Sequence, residues 1–146
     1  METSTSSNTI TVETRVHATL QKVWECWTEP EHIVHWNFAG EDWHCPTAEN
    51  DLQPGGKFSW RMEAKDGSMG FDFSGTYILI HDRESIRLTL DDDRKVHLQF
   101  RDRGGIVEII EIFEPESVNE LSLQRQGWQA ILDNFRKYTE SLSTKS

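Results

Sequence analysis

The chain has 146 residues, 36% of them hydrophobic, and carries a net charge of −10 from 25 acidic and 15 basic residues. That charge disfavours nucleic acid and anionic membrane surfaces, and the two cysteines are too few for a disulfide framework. No secretory signal and no apolar run near the roughly 18 residues of a membrane span is present, so the expectation is a reduced, cytoplasmic protein. Chains of about 150 residues bury roughly 68–70% of their unfolded surface, enough for one domain with a substantial core. Six Trp and seven Phe supply much of that burial and favour broad, flat packing walls.

Residues 1–8 are Ser/Thr-rich without apolar patterning and are expected to form a disordered tail, followed by a single domain over 9–142 and a short tail over 143–146. From Ile10 to His17 the chain alternates, with Ile10, Val12 and Val16 on one face, as in a half-buried strand. Thr19 caps a helix with Leu20, Val23, Trp24 and Trp27 at helical offsets. Thr28-Glu-Pro-Glu31 reads as a second, capping-box start, opening a brief helix with Ile33 and Trp36.

Beyond Gly40 the period changes from 3.6 to 2. The turns are Gln53-Pro-Gly-Gly56, Asp66-Gly67, Asp91-Asp-Asp93 and Gly104-Gly105. Between them lie alternating sets: Phe58, Trp60 and Met62; Phe71, Phe73, Gly75, Tyr77 and Leu79; Ile86, Leu88 and Leu90; and Val96, Leu98 and Phe100. Ile106 to Phe113 is apolar on both faces except at Glu108 and Glu111, as expected of a central strand.

Last comes the longest periodic stretch, Leu121 to Leu142. Leu121, Trp128, Phe135 and Leu142 recur every seven residues, and Ile131, Leu132 and Tyr138 widen the stripe. Gln124 and Arg125 interrupt it from the expected buried side. Gly127 sits in the helix interior, either for close packing or because the helix borders a cavity there. The predicted fold is α+β: a curved antiparallel meander wrapped around a long C-terminal helix, with two short helices after the first strand.

Four stretches in this order resemble one family: Val23-Trp-Glu-Cys-Trp-Thr-Glu-Pro-Glu-His-Ile33, Gly55-Gly-Lys-Phe58, Gly75-Thr-Tyr77 and Gly127-Trp-Gln-Ala-Ile-Leu132. They are similar to the activator of heat-shock protein 90 ATPase homologues, within the START-like, Bet-v-1-like (SRPBCC) helix-grip superfamily. The resemblance spans about Ile10 to Tyr138. It implies a cavity between helix and sheet, used across the superfamily for lipids, polyketides and other apolar molecules. Chaperone activators in the family carry an additional N-terminal domain, whereas only a short tail precedes the first strand here, so chaperone activity is not the first expectation.

The function expected is non-enzymatic binding of a small apolar or amphipathic molecule, without a cofactor. A protein-interaction or co-chaperone module linked to heat-shock protein 90 is the alternative, and a cyclase-like enzyme the second. Expected cavity residues are Trp60, Met62, Phe71, Phe73 and Tyr77 on strands, Trp36 and Trp43 near the short helices, and Gly127 and Trp128 on the long helix. Gln124 and Arg125 are the expected polar contacts. Rings on alternating strands can equally fill the core.

A zinc site from His32, His35, His44 and Cys45 is disfavoured, because adjacent His44 and Cys45 point to opposite strand faces and no CxxC pair is present. Asp72, His81 and His97 are the acid–base residues available on strands. Asp72 and His97 fall opposite the bulky apolar positions, so catalysis is not expected of them, and no Ser occupies a nucleophile elbow.

Overall fold

The structure, a computed structural model, describes residues 9–143. The predicted tail over 1–8 and the last three residues of the predicted tail over 143–146 lie outside the described residues. β1 (Ile10–Val16) leads into α1 (Leu20–Thr28) and α2 (Pro30–Ile33). Six further strands follow among the described residues as β2 (Trp43–His44), β3 (Ala48–Asn50), β4 (Lys57–Ala64), β5 (Gly70–His81), β6 (Ser85–Leu90) and β7 (Lys95–Asp102), and β8 (Val107–Phe113) completes the sheet. The chain closes with α3 (Leu121–Ser143), which reaches the first residue of the predicted C-terminal tail.

All pairings are antiparallel in the order β1-β8-β7-β6-β5-β4-β2, with β3 also paired to β4. β8 is thus an interior strand, as its apolar sequence predicts. The sheet curls around α3 and buries Val12, Val16, Phe58, Ile86, Leu98, Phe100, Val107, Ile109 and Phe113 against it.

Local chemistry sets the element ends. Thr19 Oγ1 accepts from the Lys22 amide at 3.1 Å and so caps α1. The expected capping box at Thr28 does not form. Thr28 is instead the buried last residue of α1, and its hydroxyl donates to the Trp24 carbonyl at 2.8 Å. α2 starts with Pro30 at its first position and has no side-chain cap. The alternation of β5 also breaks: the register shifts between Tyr77 and Leu79, which leaves Leu79 exposed and packs Ile80 against the core. Neither β2 nor β3 is predicted by the sequence; both are too short to carry a period.

The helix is tied to its surroundings on two sides. Arg125 Nη1 and Gln129 Nε2 donate to the Thr11 and Glu13 carbonyls of β1, each at 3.0 Å, and Glu140 accepts from the His17 amide at 2.9 Å. Opposite, Asn134 donates to the Phe38 carbonyl, and His32 Nδ1 meets the Tyr138 hydroxyl at 2.7 Å. These polar clips fix how the helix lies across the sheet, while the apolar side chains beneath it supply the burial.

Candidate functional site

Packing beneath α3 is uneven along its length. Its C-terminal half buries Leu132, Phe135 and Thr139 completely. Phe135 meets Trp27 and Trp36 edge-on at ring-centroid distances of 4.9 and 5.0 Å, and Trp24 and Trp27 pack on Phe100. Its N-terminal half leaves Leu121 and Leu123 52% and 55% exposed, so the stripe predicted from Leu121 is buried only from Gln124 onward.

Between that half and the sheet lies a cavity of about 240 Å³, lined by Trp27, Trp36, Asn37, Trp60, Met62, Phe71, Phe73, Arg94, Glu111, Glu116, Gln124, Trp128 and Ile131. A second chamber of about 340 Å³ shares Met62, Phe71, Glu116, Gln124, Trp128 and Ile131 with it, and adds Trp43 and Gly127. These volumes sit at or just below the lower part of the range of roughly 300–1,000 Å³ for small-molecule sites. Trp128 borders both chambers, stacked on Phe113 at 3.8 Å and edge-on to Phe73 at 5.7 Å.

Nine of the eleven residues singled out from sequence therefore border one chamber or the other. Tyr77 does not: it is buried behind Phe58, and its hydroxyl donates to Asn50 Oδ1. Burial pushes its phenol well above the usual range. Arg125 also stands away from both chambers, turned to the edge of β1 where it reaches the Thr11 carbonyl. Gln124 is at the cavity, but its amide is already engaged. Oε1 accepts from the Glu116 amide at 2.9 Å, and Nε2 donates to the Glu116 and Asn119 carbonyls at 3.0 and 2.8 Å. It pins the β8–α3 loop over the cavity rather than presenting free donors.

Gly127 meets open space: a Cβ built there has no atom within 4 Å. Close packing is thus not the reason for this glycine.

The polar group that sequence reasoning passed over is Glu111. Val107, Ile109, Glu111 and Phe113 are all inward-facing and buried, and Glu111 is only 8% exposed. Its cross-strand neighbours are Val12 and Leu98, both buried and apolar. Among the described residues no hydrogen bond or ion pair reaches its carboxyl, and burial alone pushes its pKa up to about 8. The signal was available in the alternation of β8, where Glu111 shares the phase of Ile109 and Phe113. A second unpartnered group lines the same cavity: Trp60, 5% exposed, has no acceptor for its indole N–H among the described residues.

Two charged groups lie nearer the rim. Arg94 Nε donates to Asp92 at 2.8 Å and Nη1 to the Glu114 carbonyl at 3.4 Å. Glu116 accepts from the Val118 and Asn119 amides at 2.7 and 2.8 Å, and the Asn119 hydrogen bonds hold its carboxyl below the usual range.

The other residues weighed for chemistry lie apart from the cavity lining. His32 and His35 pack on Tyr138, and His44 Nε2 is 3.8 Å from Glu63. Cys45 is buried beside Asn37. Among the described residues no cluster of three or more His, Cys, Asp or Glu is placed to hold a metal ion. Asp72 pairs with Arg61 at 3.4 Å, and burial together with the Arg87 charge lowers the His97 pKa.

A curled antiparallel sheet closed over a long C-terminal helix, with short helices after the first strand, defines a START-like helix-grip protein. Within that class the chain belongs to the family described as activator of Hsp90 ATPase homolog 1-like protein, whose model matches residues 17–140. The solution structure of an AHSA1-like protein from Aeromonas hydrophila is 38% identical, with a TM-score of 0.86 over 92% of this chain and 93% of that one. A solution structure from Cytophaga hutchinsonii is 47% identical, with a TM-score of 0.79 over 95% and 96% of the two chains. A crystal structure from Nitrosomonas europaea shares the fold at 15% identity, with a TM-score of 0.79 over 95% and 98%. Among curated proteins the comparison finds no match. No helix among the described residues is long and apolar enough to cross a membrane.

Proposed function

We propose that this chain binds a small amphipathic molecule in the cavity between α3 and the sheet. The observation that carries the reading is the combination of ring walls with unused polar capacity. Trp27, Trp36, Trp60, Phe73 and Trp128 surround a space that also receives the Glu111 carboxyl and the Trp60 N–H, neither of which has a protein partner among the described residues. Buried polar groups are normally hydrogen-bonded, because leaving one unmade costs about 1–3 kcal/mol. A ligand that meets such a group recovers part of that cost while its apolar body displaces cavity water.

The test is intrinsic fluorescence, since four of the six tryptophans line the first chamber and Trp43 lines the second. Titration with fatty acids, flavonoids, polycyclic aromatics and arylalkyl amines should give at least one saturable change. A dissociation constant near 1 μM corresponds to about 8 kcal/mol. If every compound leaves the emission unchanged while the protein remains folded, the binding reading fails and a protein-interaction role becomes the better explanation of the fold.

A further inference from the structure

We propose that the preferred ligand is an amphipathic cation: a small aromatic or aliphatic body held between the rings, bearing a protonated amine that pairs with the Glu111 carboxylate. This rests on the reading of the cavity as a ligand site and adds the charge of the occupant. Glu111 lies on an interior strand, flanked by Val12 and Leu98 and covered by α3, with no cation among the described residues in contact. A carboxyl in that position lacks a partner that only something entering the cavity can provide.

The surrounding groups favour a positive one. From the β8–α3 loop comes Glu116, a second carboxylate. From the β6–β7 turn comes Arg94, whose charge is already taken by Asp92. From α3 come Gln124, Trp128 and Ile131, and from the α1–α2 region Trp27, Trp36 and Asn37, none of them ionisable. The walls are ring faces, which attract cations through their quadrupoles. The net charge of −10 biases encounter in the same direction.

In the empty cavity, burial keeps Glu111 largely protonated at neutral pH. Binding of an ammonium group draws the carboxyl into its ionised form, so the proton leaves Glu111 for solvent and a charge-assisted N–H···O bond forms. Affinity for the amine should therefore rise between pH 6 and 8, by up to about tenfold per pH unit for one released proton.

The experiment is isothermal calorimetry with phenylbutylamine, phenylbutanol and phenylbutanoate, which share one body and differ in charge. Running each at pH 7 in two buffers of different ionisation enthalpy counts the protons released. The amine should bind about tenfold more tightly than the alcohol, and more tightly still than the carboxylate. It alone should release close to one proton. In Glu111→Gln, which keeps size and polarity, both the preference and the proton release should vanish, the amine falling to the affinity of the alcohol. The thermal midpoint of the variant establishes that it is folded. Equal binding of the three compounds, or a preference that survives in Glu111→Gln, overturns the cation inference but leaves the ligand site standing. Absence of binding by all three to the folded wild type counts against both.

Discussion

The two halves of α3 share one helix and one sheet but solve different problems. Around Phe135 the interior is filled: Trp24, Trp27, Trp36 and Phe100 interlock, and Leu132 and Thr139 are sealed beside them. Around Gly127 it is not. Trp128 and Ile131 are only partly buried, a Cβ at Gly127 would touch nothing, and the rings of Trp60 and Phe73 face space. Rings pack in both regions, so it is the placement of polar and small residues that decides which region stays open. Gln124 holds the loop over the cavity, Glu111 puts a carboxyl in its wall, and Gly127 withholds a side chain from it.

The largest effect that sharpens this contrast comes from truncating one ring in each half. Phe135→Ala should cost about 3–5 kcal/mol, since it empties a fully enclosed site that cannot collapse. Trp128→Ala removes a bigger side chain but opens onto existing space, and its cost should fall below that, at roughly 2 kcal/mol. Urea unfolding midpoints compare the two directly. A larger loss at Trp128 would mean that the cavity end is as tightly packed as the other.

Next in size is a pH effect confined to the open half. Glu111 titrates at about 8 in the folded chain against an ordinary value of 4.5, so the folded state binds its proton more tightly. Between those two values unfolding releases that proton, and stability falls as pH rises at up to about 1.4 kcal/mol per pH unit. Above about pH 8 the contribution is flat. Glu111→Gln has no such slope. Its stability relative to the wild type should rise by a few kcal/mol between pH 5 and pH 9, measured by chemical denaturation at each pH. Glu116 and Glu140, whose pKa values are lowered, contribute stability that is lost in acid, but equally in both proteins. A constant difference across the range would place Glu111 in contact with solvent.

Much of this architecture is legible in the chain itself. Periodicity locates the long strands and the helix because each buries one face, and a buried face imposes its period on the sequence. The cavity is less legible, because a ring facing a void and a ring facing another ring occupy the same alternating position. That is why Tyr77 and Phe73, four residues apart and in the same phase, cannot be told apart by pattern, though one donates to Asn50 in the core and the other faces the cavity. Arg125 and Gln124 adjoin on the helix, yet about 100° of rotation sends one to the edge of β1 and the other beneath the loop. Glu111 was readable in principle, since it breaks the inward phase of β8, but an apolar run on both faces masked that phase. The bulge after Tyr77 has no local signature, and it alone turns Leu79 outward.

The smallest effects come from two glycines, and they isolate the contrast without removing any ring. A Cβ at Gly75 would lie 2.3 Å from the Thr89 carbonyl oxygen and 3.0 Å from the Leu90 Cα, so β6 would have to move. Gly75→Ala should therefore cost about 1–3 kcal/mol through overpacking. At Gly127 the same added methyl meets nothing within 4 Å, and the helix gains up to about 1 kcal/mol because Ala is the better helix former. The two substitutions are chemically identical and should shift the thermal midpoint in opposite directions. Gly127→Leu extends the argument from stability to binding. Its side chain enters the second chamber, so the fold should survive while phenylbutylamine affinity drops severalfold in calorimetry. A Leu variant with unchanged midpoint and unchanged affinity would show that occupancy is confined to the chamber lined by Glu111.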